Sequence, residues 1–377
     1  MSSIGSSLRP SEPPRAQGLL AGLHLDAPLL TGILLLAGYG LVVLYSASGQ
    51  DWGQVERQGL RFGLGLLLMT GVAQLSPEQL RRWSPWLYLL SFLLLLAVLV
   101  AGEIGKGAQR WLDLGVIRFQ PSELAKLAAP MMVAWFLAER PLPPHWLRLL
   151  GAAILILLPV LMIAKQPDLG TSLLVAAAGL FVMFLSGLRW RFILLLILIA
   201  APAALALWEW GMHDYQRNRV LTFLDPERDP LGAGYHIIQS TIAIGSGGLY
   251  GKGWLEGTQS HLDFLPERHT DFILAVVAEE FGLNGVALLF GLYLFVVMRG
   301  LFIAVRAQDA YSRLLAGALS LVFFLYVFVN AGMVSGLLPV VGVPLPLISY
   351  GGTALVTLMA SFGILMSIHT HRRLLPT

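Results

Sequence analysis

The residues of this chain that are able to do acid–base chemistry stand at the ends of long apolar runs. Asp271 is the clearest example, because it ends the polar stretch LPERHTD and the apolar run FILAVVA follows directly. An aspartate in that place is favoured as a helix cap. A carboxylate partly shielded from water beside Arg268 and His269 is also suited to be a general base, and the two roles are compatible.

A second polar pair begins another apolar run. Glu123 and Lys126 are three residues apart, so they lie on one face of a helix and can pair, and Pro121 suits the first turn of that helix. The pair either lets two charges enter the membrane boundary or serves a functional cavity, and the residues leave both interpretations open. Trp111, upstream of the pair, is typical of an anchor at the membrane interface.

Two more polar stretches could contribute to a site. Asp168 in QPDLGT favours a helix cap over a direct role. Arg217 and Arg219 in YQRNR suit the phosphates of membrane lipids and would equally suit a pyrophosphate substrate. The phosphate loop, the zinc-protease motif and the nucleophile elbow are all absent, so ATP hydrolysis, zinc proteolysis and triad chemistry have no support in the sequence.

The stretch 342–353, GVPLPLISYGGT, mixes prolines and glycines with apolar residues and therefore cannot form a regular helix. Irregular backbone at membrane depth must be buried in protein or line a cavity. We therefore predict that this stretch, which includes Ser349 and Thr353, forms a wall of a polar cavity open to the outer face of the membrane.

Composition predicts the elements that must position these residues. Of 377 residues, 56% are hydrophobic and only 12% are charged, which is about half the charged fraction of a soluble domain. The absence of cysteine excludes disulfides and thiolate chemistry. We predict an all-α polytopic membrane protein of about ten transmembrane helices, with spans at 27–46, 58–75, 86–102, 122–138, 148–164, 169–187, 192–210, 272–298, 314–332 and 353–368.

Arginines are more frequent in the connections that lie inside the cell if the N-terminus is cytoplasmic, as the positive-inside bias requires. This orientation predicts a cytoplasmic tail at 1–26, a membrane domain at 27–377 and, within it, a large extracytoplasmic loop at 211–271 before the eighth span. The loop is too long for a simple connection. Its isoleucines indicate a short amphipathic segment on the membrane surface, formed by Ile237, Ile238, Ile242 and Ile244.

With these features in place, the chain resembles the SEDS family (shape, elongation, division and sporulation) of peptidoglycan glycosyltransferases. The resemblance covers nearly the whole chain beyond the N-terminal tail. It is carried by FQPSELAK at 119–126, QPDLGTSLL at 166–174, YQRNRVLTFLDPERDPLGAGYHIIQS at 215–240, GKGWLEGTQSHLDFLPERHTDFI at 251–273 and PLPLISYGGT at 344–353. The LPERHTDF form, with Arg268, resembles the elongation branch more than the division branch.

The resemblance implies a polymerase of lipid II at the outer face of the cytoplasmic membrane, active in cell elongation and rod shape. It implies inversion of configuration with Asp271 as the general base. Lys126, Arg217 and Arg219 would then supply positive charge to the leaving pyrophosphate. A divalent cation, Mg²⁺ or Mn²⁺, is compatible with the reaction, and no cofactor is certain. The implied substrate-binding residues are Trp111, Glu123, Lys126, Arg217, Arg219, Ser349 and Thr353.

The implied partners are lipid II, the undecaprenyl-pyrophosphate-linked glycan, a class B penicillin-binding transpeptidase and other membrane proteins of the elongation complex. A net charge of +3 does not indicate nucleic acid. The implied location is the cytoplasmic (inner) membrane, with the active site facing the periplasm or cell exterior. Two alternatives stay open: a lipid II flippase or other transporter, which the lack of an evident inverted repeat disfavours, and a non-catalytic scaffold of the elongation complex.

Overall fold

The computed structural model describes residues 22–101, 103–105, 108–113, 118–188, 191–192, 194, 198, 202, 205–212, 214–225, 233–261 and 267–371. Its helices are α1 (Ala27–Ala47), α2 (Trp52–Ala73), α3 (Pro77–Ala101), α4 (Pro121–Ala138), α5 (Trp146–Lys165), α6 (Leu169–Leu185), α7 (Asp214–Leu224), α8 (Ala233–Gly247), α9 (Thr258–His261), α10 (Ile273–Val305), α11 (Ala310–Val334) and α12 (Thr353–Thr370). A π-helical turn spans Leu207–Gly211.

Six of these helices are long and apolar enough to cross a membrane, namely α1, α3, α5, α10, α11 and α12. The predicted class of polytopic helical membrane protein is confirmed. Nine of the predicted spans coincide with a helix, whereas about half of the span predicted at 192–210 lies outside the described residues. The count of about ten spans therefore stays a prediction.

The bounds of several helices differ from the predicted spans: α3 begins at Pro77 rather than 86, and α10 continues to Val305 rather than 298. Helix α2 begins at Trp52, six residues before the predicted span at 58–75, because Asp51 caps it and its first turns carry charge that hydropathy discounts. The connection after α3 contains a small antiparallel sheet in the order β1–β2–β3, formed by Glu103–Gly105, Ala108–Asp113 and Arg118–Phe119.

Close contacts between glycines and neighbouring helices hold α2 against α12. A Cβ on Gly65 would lie 2.8 Å from Met359, and one on Gly363 would lie 2.6 Å from the carbonyl oxygen of Met69. Small residues of this kind let two membrane helices approach closely. The opposite face of α2 exposes Leu60, Leu64 and Leu67, at helical spacing, as expected of a surface that faces lipid.

Helix α10 is broken at Gly282, whose φ of 63° and ψ of −162° are not helical. The loop 248–253 fills the break. The N–H groups of Lys252 and Gly253 donate to the carbonyls of Glu279 and Glu280, at 3.0 Å each. On the other side of the break, the N–H groups of residues 283 and 284 donate to the carbonyls of residues 248 and 249. A backbone interruption inside a membrane bundle is tolerated when its polar groups are satisfied in this way.

The described residues of the region predicted as a long loop, 211–271, include the helices α7, α8 and α9. Helix α8 lies within it, and a Cβ on its Gly247 would lie only 1.9 Å from the carbonyl oxygen of Ala278, so α8 packs directly on α10. The predicted amphipathic segment is part of α8. Its Ile237 is buried against the protein while Ile242 is 46% exposed.

Candidate active-site cavity

A cavity of about 790 Å³ lies where the N-terminal ends of α4, α6 and α12 meet the turn 267–272 and the irregular segment 335–352. Its lining is rich in polar side chains, which include Arg110, Trp111, Gln120, Glu123, Lys126, Asp168, Asp271, Tyr326, Tyr350 and Thr353. The predicted polar wall is present, since residues 341–344 and 350–354 line the cavity.

Glu123 and Lys126 form a buried ion pair in this cavity. The Lys126 Nζ and the Glu123 Oε1 are 2.7 Å apart, and their side chains are 7% and 8% exposed. The ammonium also lies 5.4 Å from the ring centroid of Tyr326, which adds a cation–π contact. The second carboxylate oxygen of Glu123 has no hydrogen-bond partner among the described residues. That oxygen is itself buried, so the pair lies in the cavity wall with one carboxylate oxygen unpaired among the described residues.

Asp168 joins three elements around the cavity. One of its oxygens accepts the N–H of Thr171 and so caps α6, which agrees with the role the sequence favours. The other accepts the side-chain amide of Gln120 at 3.3 Å and lies 3.9 Å from the Arg110 guanidinium. Arg110 also donates to the carbonyl of Pro167 at 2.5 Å. These contacts fix the strand Ala108–Asp113, which carries the neighbouring Trp111, against the start of α6.

Asp271 lies at the cavity in the turn before α10. The N-cap residue of that helix is Phe272, which makes no side-chain capping hydrogen bond, and Asp271 precedes it. The backbone of Gly342 passes beside the carboxylate, because a Cβ on this glycine would lie 3.5 Å from the Asp271 Oδ2. The φ of Gly342 is +74°, a conformation that glycine adopts without strain. Asp271 is thus held between its own turn and the irregular segment.

Two arginines that are not among the predicted site residues contact Tyr350, a residue of the cavity lining. The Arg61 guanidinium stacks 4.4 Å from the ring centroid of Tyr350, and the Arg57 Nε donates to the Tyr350 hydroxyl at 3.4 Å. Burial tends to raise the pKa of Tyr350, but the hydrogen bond from Arg57 and the charge of Arg61 outweigh it and lower that pKa. Positive charge therefore borders the cavity beside Tyr350.

The comparisons with known proteins agree with this geometry. Residues 27–374 match the cell cycle protein family named after FtsW, RodA and SpoVE. The chain is 59% identical over 353 residues to the peptidoglycan glycosyltransferase MrdB of Escherichia coli K12, an alignment that covers 94% of this chain and 95% of that protein. The chain belongs to this family. A probable peptidoglycan glycosyltransferase FtsW of Geobacter metallireducens is 37% identical, with 92% and 95% covered.

Solved structures of similar sequence have the same fold as this chain. One chain, from a study titled "Structural coordination of polymerization and crosslinking by a peptidoglycan synthase complex", superposes with a TM-score of 0.80 at 37% identity and covers 92% of this chain and 99% of its own. The rod shape determining protein RodA of Thermus thermophilus gives a TM-score of 0.69 at 34% identity, with 91% and 96% covered. The family resemblance predicted from the motifs is confirmed.

Within this family fold, the predicted site residues separate into two groups. The structure brings Asp271, Trp111, Glu123, Lys126 and Thr353 together in the cavity. Among the described residues, Ser349 and Arg217 are not part of that lining.

Ser349 is buried, and its hydroxyl donates to the carbonyl of Thr270 at 2.5 Å and accepts the N–H of Leu345. It therefore supports the wall and does not line the cavity. Arg217 in α7 donates to the carbonyls of Trp208 and Glu209, which fastens α7 to the π-helical turn. Arg219 also lies in α7, and its side chain is outside the described residues.

The described residues offer no group of three or more histidine, aspartate or glutamate side chains arranged to hold a metal ion. In the cavity, Glu123 and Asp168 already face Lys126 and Arg110. These residues do not fit a cation held by protein ligands alone. The divalent cation stays a prediction from the resemblance, and no step proposed below depends on it.

Proposed function

We propose that this chain is a peptidoglycan glycosyltransferase that polymerises lipid II into glycan strands for cell elongation. The observation that carries the proposal is that Asp271 shares one cavity with the buried Glu123–Lys126 pair. The printed names of the relatives, peptidoglycan glycosyltransferase MrdB and probable peptidoglycan glycosyltransferase FtsW, support the same activity.

In the proposed reaction, the 4-hydroxyl of one lipid-linked disaccharide attacks the anomeric carbon of the growing chain. A new C–O bond forms at that carbon, the bond to the pyrophosphate oxygen breaks, and the configuration inverts. The Asp271 carboxylate accepts the hydroxyl proton as the new bond forms. The undecaprenyl pyrophosphate leaves as an anion, so the cavity must supply positive charge where that anion develops.

Lys126 is the best-placed cation inside the cavity. Its pairing with Glu123 keeps the ammonium charged in a buried site, because an unpaired lysine there would tend to lose its proton. Beside Tyr350, Arg57 and Arg61 add positive charge, which they keep at every physiological pH. The predicted role of Arg217 and Arg219 toward the pyrophosphate remains part of this proposal. In the structure, the guanidinium of Arg217 donates to backbone carbonyls.

The proposed setting is the outer face of the cytoplasmic membrane, beside a class B penicillin-binding transpeptidase. The elements of the cavity are the starts of the fourth, sixth, eighth and tenth predicted spans and the end of the ninth, which the arginine bias places outside. A solved relative is described as belonging to a peptidoglycan synthase complex that coordinates polymerization and crosslinking. A transpeptidase bound to the outer loop and the adjacent spans would receive the new strand directly.

The test is to supply the purified chain with lipid II, with and without its transpeptidase, and to separate the products on a gel. The proposal predicts glycan polymer. In parallel, vesicles containing labelled lipid II and the chain report movement of lipid II between leaflets. Transport of lipid II without any polymer would favour the flippase alternative and contradict the proposal, and an absence of both would favour the scaffold.

A further inference from the structure

The turn that carries Asp271 is bound at three successive carbonyls by donors from the C-terminal third of the chain. The carbonyl of His269 accepts the N–H of Tyr350 at 2.8 Å, and that of Thr270 accepts the Ser349 hydroxyl at 2.5 Å. The carbonyl of Asp271 itself accepts the side-chain amide of Asn330 at 2.9 Å. Because the three bonds are consecutive, they determine the path of the backbone into Asp271.

Asn330 differs from the other two donors because it also holds the opposite wall. Its Nδ2 donates a second hydrogen bond, of 2.8 Å, to the carbonyl of Val343. Val343 follows Gly342, the glycine that lies against the Asp271 carboxylate. One amide group therefore fixes both the backbone of Asp271 and the backbone beside its side chain.

Asn330 is a buried polar side chain in a mostly apolar helix. The side chain is fully buried in α11, and its Oδ1 has no hydrogen-bond partner among the described residues. A buried polar group that is only partly satisfied lowers stability. Among residues of this size, asparagine alone offers two N–H donors from one nitrogen: aspartate has none when ionised, and leucine has none at all. An apolar residue would suit this helix unless both donors were needed.

We propose that Asn330 is a positioning residue that holds the Asp271 carboxylate at its place in the cavity. This inference rests on the function proposed above, because it assigns Asn330 a role in that reaction through Asp271. A general base must lie within hydrogen-bond reach of the proton it removes. A displacement of about 1 Å is enough to lower a rate by about 10²-fold.

The first test compares Asn330→Leu with wild type in the lipid II polymerisation assay. We expect kcat to fall by about 10²-fold while KM for lipid II stays within about threefold, because Lys126 and its pairing with Glu123 are unchanged and only the backbone beside Asp271 is released. The control is Leu315→Ala, which opens a cavity in α11 about 22 Å from Asn330 and lowers stability without touching the turn. It should keep a kcat close to that of wild type. A near-normal kcat for Asn330→Leu would overturn the proposal.

A second test does not depend on activity. The chain contains no cysteine, so Asp271→Cys introduces a single thiol whose reaction rate with a water-soluble maleimide reports where the side chain lies. We expect Asn330→Leu to change that rate by about fivefold or more and Leu315→Ala to leave it unchanged. An equal rate with and without Asn330→Leu would refute the positioning role even if lipid II polymerisation were confirmed. A changed rate would support it even if the polymerase assignment failed.

Discussion

Two lysine–glutamate pairs in this molecule have the same length and opposite surroundings. Lys126 and Glu123 are 2.7 Å apart within one turn of α4, and Lys252 and Glu279 are 2.7 Å apart between a loop and α10. The first pair lines the cavity and leaves one Glu123 oxygen without a partner in the described part of the chain. The second pair is outside the cavity lining.

The second pair is saturated by its neighbours. The Oε1 of Glu279 accepts from the Lys252 ammonium, from the N–H of Gln259 at 2.8 Å and from the hydroxyl of Thr258 at 3.2 Å. The side chain of Glu279 is fully buried, and its helix is interrupted three residues later at Gly282. This pair therefore fastens the loop 248–261 into the broken helix.

The comparison shows that a buried ion pair in a membrane bundle can serve two purposes. Where several donors converge on one carboxylate oxygen, as at Glu279, the charge stabilises irregular backbone. Where the pair lines a cavity, as at Glu123 and Lys126, the ionisable groups mark a functional site. The distance between the charged atoms does not distinguish the two cases, and the remaining partners of each carboxylate do.

The sharpest way to break this comparison is to neutralise the cavity pair. We expect the double variant Glu123→Gln, Lys126→Met to lower lipid II polymerisation by about 10²-fold or more, because the cation that faces the leaving pyrophosphate is lost. The thermal midpoint in detergent should fall by only a few degrees, because the double variant leaves no buried charge without its counterion. Polymerisation within about threefold of wild type would show that the cavity pair is structural, like its counterpart.

Removing the lysine of the second pair should lower the stability of the protein and leave its polymerisation activity nearly unchanged. Lys252→Met leaves the buried Glu279 without its cation, which costs about 3–5 kcal/mol and should lower the thermal midpoint by about 5 °C or more. The protein that stays folded should polymerise lipid II within a few-fold of wild type. Lys165→Met, at an exposed lysine that ends α5, is the control and should leave both properties unchanged. A large loss of activity at an unchanged midpoint would contradict the division of roles.

Helix α8 connects the two regions, and its His236 gives the smallest expected effect. The ring stacks on Phe272, next to Asp271, with ring centroids 5.6 Å apart. Burial lowers the pKa of His236 below its ordinary 6.5, and the nearby Glu267 carboxylate opposes part of that shift. The pKa of His236 is therefore lower in the folded protein than in the unfolded chain. Above pH 6.5 the imidazole is neutral in both states and does not affect the free energy of unfolding. As the pH falls below 6.5 toward the folded pKa, the unfolded chain binds the proton more readily and the folded protein loses stability.

We expect the thermal midpoint of wild type to fall by about 1–2 °C more than that of His236→Phe between about pH 7.5 and 5.5. The phenylalanine keeps the stacked ring without a titrating group. Thermal melts of the two proteins at both pH values provide the measurement. Equal falls would mean that this histidine does not link pH to the packing of α8.

Much of this fold follows from local signals in the sequence. The predicted span at 122–138 and the helix Pro121–Ala138 differ by one residue, because Pro121 marks the start and the apolar run marks the length. The pairing of Glu123 with Lys126 also follows from their spacing. Helix α8 was not predictable to the same degree, since it is stabilised by packing on the broken part of α10, a contact between distant segments.

The composition of the site was harder to predict for the same reason. Arg61 and Tyr350 are far apart in sequence, and Asn330 sits in an apolar helix without a local pattern that points to Asp271. Ser349 belongs to a motif of the family, yet its hydroxyl is used inside the wall. Sequence reasoning located the polar residues at the span ends, and only the tertiary contacts separate those that line the cavity from those that support it.

The central claim is that Asp271 performs the chemistry in this cavity. The most direct test is lipid II polymerisation by purified Asp271→Asn, compared with wild type and with Asp51→Asn, an exposed helix-capping aspartate outside the cavity lining. We expect no detectable polymer from Asp271→Asn at a thermal midpoint close to that of wild type, and normal polymer from Asp51→Asn. Near-normal polymerisation by Asp271→Asn would contradict a catalytic role for this carboxylate.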